Sequence, residues 1–260
     1  MQSYDNPFKQ ALAAGRQQTG LWLTTGSATV TEIAAGAGFD WLLVDMEHSP
    51  NDLTDVVDHL RAAVGGTAEP VVRVPWNEPV AVKRLLDQGA RSLMFPFVQS
   101  AEEAGNAVAA TRYPPHGIRG FAGTSRATRY GERTDYPARA ADEICVVVQI
   151  ETADACRLAG DIAAVEGVDG VFIGPNDLAA NMGHLGDVGA AAVKAAIDDA
   201  LGAITGAGKA AGLLDFNPAS ATARFAQGFR FIAVSGDAFL LARNARAVAK
   251  QFRNGGGDPG

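Results

Sequence analysis

Four charged or titratable side chains stand at or just after the ends of short apolar runs that are typical of buried β-strands. They are His48, Arg73, Glu151 and Asp177. A charged group in such a position must be paired, hydrogen-bonded or bound to a metal ion to offset its lost hydration. In parallel α/β folds the carboxyl ends of the strands meet at one face, and active sites are built there. These four residues are therefore the first candidates for a functional site.

Glu151 and Asp177 are candidate metal ligands because they follow successive apolar runs of the chain. Glu151 alone could belong to a structural salt bridge, and Asp177 alone could cap the short helix that begins after Gly174 and Pro175. Together the two carboxylates offer an oxygen-rich site with open positions for water and a chelating ligand, which suits Mg²⁺ or Mn²⁺ better than Zn²⁺. The free backbone N–H groups of a helix beginning near Asn176 would anchor the carboxylate of a 2-oxo acid beside this site.

His48 is the one histidine of the four in the sequence that stands at the end of a predicted strand. Histidine, with an ordinary pKa of about 6.5, can relay protons near neutral pH. We interpret His59, His116 and His184 as surface or capping residues. Arg73 would place a permanent charge in a buried strand, which is costly unless the guanidinium meets an anion or a developing oxyanion.

Lysine is missing from the predicted site, and this limits the chemistry that the site can perform. Imine-forming catalysis on a 2-oxo acid needs a partly buried lysine near the substrate. The lysines instead fall in helical patterns, near the start of the chain or before a predicted strand; they are Lys9, Lys83, Lys194, Lys209 and Lys250. Imine chemistry is therefore disfavoured.

Short β-rich runs alternate with Ala-rich stretches of helical period along nearly the whole chain, as in parallel strands joined by crossover helices. Eight candidate strands and a length of 260 residues favour a single (β/α)8 barrel, which typically needs about 250 residues. A doubly wound open sheet would alternate in the same way, but no Gly-x-Gly-x-x-Gly loop follows the first strand. The predicted strands span residues 20–24, 41–46, 70–74, 92–98, 145–150, 170–174, 211–214 and 231–235.

We expect one barrel domain over residues 1–253 and a disordered tail over residues 254–260. The longest irregular stretch, residues 113–135, is rich in Pro, Gly and Arg, and we interpret it as a functional loop. Cys145 and Cys156 lack the spacing of a zinc site, so they are interpreted as buried free thiols.

The charge balance of 29 acidic against 22 basic residues gives a net charge of −7, which argues against nucleic acid or an anionic membrane surface as a partner. The sequence opens without a cationic and apolar leader, and it contains no run of about 18 apolar residues. We therefore expect a cytoplasmic protein whose partners are small molecules.

At these residues the sequence resembles the HpcH/HpaI aldolase family of class II pyruvate aldolases. The resemblance covers almost the whole chain, and the family-like segments are residues 34–48, 70–73, 112–120, 148–152 and 167–178. It implies a barrel enzyme in which Glu151 and Asp177 bind Mg²⁺, Mn²⁺ or Co²⁺. Pyruvate would be chelated there through its ketone and carboxylate oxygens, so that its methyl group becomes more acidic and adds reversibly to an aldehyde.

The resemblance also implies roles for single residues. His48 paired with Asp87 would activate a water molecule as the base, Arg73 would stabilise the enolate oxygen, and Gln149 would orient the ligand. From the residues alone, Asp87 indicates only the end of a helix. The predicted substrate contacts are Arg73, Gln149, Gly174, Asn176, Asp177 and Leu214. The family further implies a homo-hexamer, a trimer of dimers, in which the last helix (residues 239–252) is exchanged between subunits.

The choice of substrate is left open by departures from the common family pattern at Met46, at Asn176 and at residues 214–216. Either pyruvate or hydroxypyruvate could be the donor. If Asp215 faces the pocket, it would disfavour an aldehyde that carries a second anionic group. Two other functions also remain open: a CoA-thioester lyase of the citryl- or malyl-CoA type, and a non-catalytic barrel that binds 2-oxo acids.

Overall fold

The computed structural model describes residues 5–254, which form a closed barrel of eight parallel strands surrounded by helices. The strands follow one another around the barrel in chain order, and the last pairs with the first. The predicted barrel is confirmed, and every predicted strand overlaps an observed one. The strands are β1 (Gln18–Leu23), β2 (Trp41–Asp45), β3 (Glu69–Arg73), β4 (Ser92–Phe95), β5 (Cys145–Ile150), β6 (Gly170–Ile173), β7 (Ala210–Leu214) and β8 (Phe231–Gly236).

Helices follow the strands and return the chain to the opposite end of the barrel. Several begin at a side chain that caps their free N–H groups, for example Asp52 before α3 and Ser100 before α5. They are α1 (Pro7–Ala13), α2 (Ala28–Ala35), α3 (Leu53–Ala62), α4 (Pro79–Asp87), α5 (Ala101–Thr111), α6 (Tyr136–Glu143), α7 (Ala153–Arg157), α8 (Ala159–Ala164), α9 (Pro175–Asn181), α10 (Ala191–Gly206), α11 (Pro218–Gln227) and α12 (Asp237–Asn254). Within residues 5–254, no helix combines the length and the apolar character needed to span a bilayer. The predicted tail lies outside the described residues, except for Asn254, which ends α12.

The inside of the barrel is filled with large side chains, and α1 closes one end. Phe8 of α1 lies 5.6 Å from the Trp41 ring and 5.7 Å from the Phe231 ring, measured between ring centroids. Two glycines make room for these rings, because an added Cβ would lie 2.1 Å from Trp41 at Gly20 and 2.4 Å from Phe231 at Gly212. The lower part of the barrel is therefore a packed core. The end at the carboxyl termini of the strands, here called the C-terminal face, is where barrels of this kind bind their ligands.

A second apolar layer lies between the outer faces of the strands and the helices. Cys156 belongs to this layer, whereas Cys145 points into the barrel. Both thiols are buried and form no disulfide, which confirms the prediction. Burial raises the pKa of both thiols, so neither is an activated nucleophile.

The predicted functional loop, residues 113–135, connects α5 to α6 at the end of the barrel opposite the C-terminal face, here called the N-terminal face. Arg119 fixes it from inside: its guanidinium lies over the Tyr113 ring at 4.5 Å and donates to the Tyr136 hydroxyl at 3.1 Å. A cavity of about 650 Å³ also lies at this face and is lined by Arg126, among others. Within one chain this loop does not reach the C-terminal face.

Candidate active site

Alternate side chains along each strand point into the barrel, and at the C-terminal face these inward rows end in polar or small residues. The inward positions Leu43, Val71, Val147 and Phe172 belong to the interior cluster. Two to four residues further along the same strands, the rows end at the C-terminal face. The residues that they bring together there are Asp45, Arg73, Gln149, Glu151 and Gly174.

Glu151 is a buried carboxylate, only 3% exposed. Its Oε1 accepts the backbone N–H of Phe97 at 2.8 Å, and its Oε2 accepts the Gln149 amide at 2.6 Å. Burial raises the pKa of Glu151 to about 7, and the neighbouring charges of Glu47 and Asp177 act in the same direction. The two hydrogen bonds offset only part of this rise. Glu151 thus sits where a cation would relieve both its burial and the repulsion from its neighbours.

Gly174 lies against Glu151 more closely than any side chain would allow. A Cβ added at Gly174 would be 2.7 Å from Glu151 Oε2 and 3.2 Å from the Gln149 amide nitrogen. Gly174 also precedes the first turn of α9, which carries Asn176 and Asp177, both exposed at the same face. The close approach therefore lets α9 begin beside the buried carboxylate.

The residues at this face fit a hard divalent cation. Glu151 and Asp177 supply carboxylate oxygens, and the buried Oε1 of Gln149 accepts no hydrogen bond from the described residues. Across residues 5–254, no group of three or more His, Cys, Asp or Glu side chains is arranged to hold a metal ion. A site with two protein carboxylates leaves the other positions to water and substrate, as Mg²⁺ commonly requires.

Arg73 is held by two carboxylates from the end of β2. Its Nε and Nη2 donate to Asp45 at 2.9 and 2.7 Å, and its Nη1 lies 2.6 Å from Glu47 Oε2. Glu47 Oε2 has no well-directed hydrogen bond among the described residues, so this contact is an ion pair. Trp22 completes the arrangement, because its indole N–H donates to Asp45 at 3.1 Å and its ring lies 4.9 Å from the Arg73 guanidinium. The guanidinium is thereby fixed in place.

The pKa values of the two carboxyl groups are shifted in opposite directions. Burial alone would raise the pKa of Asp45, but the hydrogen bonds and charge of Arg73, with those of the Glu47 N–H and the Trp22 indole, lower it below its usual value. Burial raises the pKa of Glu47, and the charges of Arg73 and His48 oppose that rise without cancelling it. Asp45 is therefore the more strongly bound partner of Arg73, through two hydrogen bonds, whereas Glu47 contributes a single ion pair.

The predicted pairing of His48 with Asp87 is not formed within one chain. His48 stands at the C-terminal face with a side chain that is 66% exposed, and its Nε2 lies 4.0 Å from Glu47 Oε2. Asp87 is the last residue of α4, which returns the chain to the N-terminal face, and there it accepts a hydrogen bond from Arg119 at 3.0 Å. The two residues lie at opposite ends of the barrel.

His59 is not the surface or capping residue that we interpreted from the sequence. It is 1% exposed, and its ring nitrogens lie 2.6 Å from the Thr31 hydroxyl and 3.1 Å from Asn51 Oδ1. Burial lowers its pKa, which favours a neutral ring. Asn51 in turn donates to the backbone oxygen of Asp45 at 2.8 Å. His59 therefore supports the loop that carries His48. In the sequence, the spacing of three residues between Val56 and His59 indicates that both lie on the same buried face of α3.

The end of β7 lies at the same face. Leu214 is half-buried against the interior cluster, so it lies where a substrate contact was predicted. The carboxylate of Asp215 is hydrogen-bonded to the start of α11. It accepts hydrogen bonds from the backbone N–H of Asn217, at 3.0 Å, and from the Ser220 hydroxyl. These local hydrogen bonds weaken the expectation that Asp215 faces the pocket and disfavours an anionic aldehyde.

A sequence model of the HpcH/HpaI aldolase/citrate lyase family matches residues 18–244. The chain belongs to this family. A 4-hydroxy-2-oxo-heptane-1,7-dioate aldolase of Salmonella dublin is 50% identical over 248 residues, which cover 95% of this chain and 94% of that protein. A hydroxypyruvate/pyruvate aldolase of Agrobacterium fabrum is 48% identical over 256 residues, which cover 98% and 96%.

Among solved structures, an HpcH/HpaI aldolase/citrate lyase family protein from Burkholderia cenocepacia superposes on the chain with a TM-score of 0.92. It shares 44% sequence identity, and the match covers 95% of this chain and 99% of that one. The resemblance identified from the sequence is therefore confirmed for both family and fold. The roles of the single residues remain predictions.

Proposed function

We propose that the chain is a divalent-metal-dependent aldolase that forms and cleaves 4-hydroxy-2-oxo acids through the enolate of pyruvate or hydroxypyruvate. The observation that carries this proposal is Glu151, a carboxylate that is only 3% exposed and is held at the C-terminal face by the Phe97 N–H and the Gln149 amide. Burial and the charges of Glu47 and Asp177 raise its pKa to about 7. The names of the two curated relatives, both aldolases, support the reaction class.

Glu151 and Asp177 would hold Mg²⁺, Mn²⁺ or Co²⁺, and the ion would supply Lewis-acid stabilisation of the enolate charge. Gln149 keeps Glu151 in position through its 2.6 Å hydrogen bond. The backbone at Asn176 and Asp177, at the start of α9, would bind the carboxylate of the donor. This would orient the donor with its ketone toward the centre of the face.

Arg73 would stabilise the negative charge that develops on the enolate oxygen. Asp45 occupies the Nε and Nη2 edge of the guanidinium, so the Nη1 side is the one turned toward Glu47. Because both carboxylates fix the guanidinium before substrate arrives, little reorganisation is needed during the reaction. His48 would take the proton from the donor methyl group through a water molecule and return it in the reverse direction.

The pairing of His48 with Asp87 needs a second copy of the chain, because one chain carries the two residues at opposite ends of its barrel. We propose that the enzyme is a homo-hexamer, a trimer of dimers, and that α12 packs on another subunit. Nearly every residue of α12 from Leu241 onward is exposed, although its sequence is amphipathic and includes Val248 and Phe252. An apolar helix face without a cover in its own barrel favours such an exchange.

The test of the function is deuterium uptake into the methyl group of pyruvate, followed by NMR in D₂O. We expect uptake with Mg²⁺ or Mn²⁺, none after treatment with EDTA, and a loss of at least about 100-fold in Glu151→Ala. Glu102→Gln, an exposed change on α5, is the matched control and should keep the full rate. Failure of exchange with every metal, for both pyruvate and hydroxypyruvate, would contradict the proposal, and cleavage of malyl- or citryl-CoA would replace it with a CoA-thioester lyase.

A further inference from the structure

Two aromatic side chains form an exposed stacked pair at the C-terminal face. Trp76 follows β3 and is 54% exposed, and Phe97 follows β4 and is 41% exposed. Their ring centroids lie 5.7 Å apart with an angle of 27° between the ring planes. Two large rings stacked on each other and open to solvent offer a flat apolar surface that nothing in this chain covers within residues 5–254.

The backbone of Phe97 is bound directly to the strand that carries the proposed metal ligand. Its N–H donates to Glu151 Oε1 at 2.8 Å, and the next N–H, that of Val98, donates to the Gln149 carbonyl oxygen at 2.9 Å. Phe97 has a φ of 53°, which is unfavourable for a residue with a Cβ and is typical of functional positions. The aromatic pair is therefore held within the length of a small molecule from Glu151.

The side chains near the aromatic pair indicate which class of ligand it would bind. Glu47, Glu151 and Asp177 are close enough for their charges to affect one another. The basic side chain nearest to them, Arg73, is already paired with Asp45 and Glu47. A ligand group lying on the aromatic pair would meet a ring at its face, and the nearest guanidinium already has two carboxylate partners. This favours an uncharged, flat or apolar group over a carboxylate.

We propose that Trp76 and Phe97 form the binding wall for the acceptor aldehyde and that they select aldehydes with an uncharged aromatic substituent. This inference rests on the proposed aldolase function. It concerns the step in which the enolate adds to the aldehyde at the same site. The donor lies on the metal side, between Glu151 and Arg73. The acceptor side chain lies outward, on the two rings.

The experiment compares kcat/KM for benzaldehyde and for propanal, with pyruvate as the donor, in the wild-type enzyme and in Trp76→Leu and Phe97→Leu. Leucine keeps an apolar side chain and the backbone N–H but removes the ring. We expect the wild-type enzyme to prefer benzaldehyde. Each variant should lose about threefold or more of that preference, mainly through the KM of benzaldehyde. Ile33→Ala removes an exposed apolar side chain on α2 and is the matched control, with an unchanged preference.

Deuterium uptake by pyruvate alone, measured on the same variants, separates this inference from the proposed function. It needs no acceptor, so it should stay near the wild-type rate in Trp76→Leu. Normal uptake with an unchanged benzaldehyde preference in both variants would overturn the aromatic wall and leave the aldolase standing. A change in oligomeric mass with unchanged preference would assign the pair to a subunit contact instead, and that also overturns the inference. Absent uptake in the wild-type enzyme would reject the function itself.

Discussion

At the scale of single residues, the site depends on one close approach between a glycine and a carboxylate. Gly174 has a φ of −84°, which any residue can adopt, so its backbone conformation does not require glycine. What requires it is the space taken by Glu151 Oε2, only 2.7 Å from where a Cβ would be. A methyl group at this position would push the buried carboxylate away without disturbing the chain.

We therefore expect Gly174→Ala to weaken Mn²⁺ binding by about tenfold or more, because second-shell displacement of a ligand has effects of that size. The melting temperature of the metal-free protein should change little. Isothermal titration calorimetry with Mn²⁺ measures the affinity. Gly202→Ala on α10, where an added Cβ meets nothing within 4 Å, is the control. Equal Mn²⁺ affinity in Gly174→Ala and wild type would refute the steric account.

The raised pKa of Glu151 predicts how metal binding depends on pH. Below a pH of about 7 the carboxyl group binds a proton that a metal ion must displace, so Mn²⁺ affinity should fall by up to about tenfold per pH unit. Above this pH it should level off. In the metal-free protein, stability depends on pH in the opposite direction. Between pH 4.5, which is the ordinary pKa of a glutamate side chain, and about pH 7, the folded state holds a proton that the unfolded state has released. The free energy of unfolding therefore falls as the pH rises through this range. An affinity that is flat from about pH 6 to about pH 8 would contradict this assignment.

At the scale of elements, the strands could be predicted because each is an apolar run ended by a polar or breaking residue. Their ends differ from the prediction for local reasons. β1 begins at Gln18 rather than at Gly20, because two polar residues pair with β8 by their backbone. β4 ends at Phe95, since Pro96 follows and Phe97 takes a positive φ. Backbone contacts of this kind leave no mark on hydrophobic periodicity.

Sequence patterns show side chains but not backbone contacts, and this explains which parts of the site could be predicted. Glu151 and Arg73 were found because a charge at the end of an apolar strand needs a partner. The roles of Asp45 and Glu47 as counter-ions of Arg73 were missed, although they stand in the segment that ends in His48. The contact from the Phe97 N–H to Glu151 could not be predicted, because any residue has an N–H and only the fold aims it.

The loop after β2 depends on α3 through the buried His59. Replacement by leucine would leave the Thr31 hydroxyl and the Asn51 side chain without their partner, which costs about 1–3 kcal/mol. We expect His59→Leu to lower the free energy of unfolding by this amount in urea titrations. His59→Gln, whose amide can donate to Asn51 and accept from Thr31, should recover much of the loss. Equal stability of the two variants would mean that the hydrogen bonds contribute nothing.

At the scale of the whole molecule, the proposed pairing of His48 with Asp87 would make the assembly part of the chemistry. His48→Ala and Asp87→Asn should each be nearly inactive alone. If the pair forms between subunits, a one-to-one mixture of the two variants, unfolded and reassembled together, should regain about a quarter of the wild-type sites. Mixtures of His48→Ala with Arg73→Ala are the control and should regain none, because both residues belong to the same barrel. No recovery in the first mixture would reject the pairing.

The floor of the barrel has a kinetic consequence. Phe8 and the rings around it close the lower end of the barrel, so both substrates share one doorway. A donor bound between Glu151 and Arg73, as proposed, would have to enter before the acceptor covers it and leave after the acceptor has gone. The proposed function thus predicts a fixed order of turnover. In the cleavage direction, pyruvate should depart last and compete with the 4-hydroxy-2-oxo acid for the empty enzyme, whereas the aldehyde should depart first and not compete.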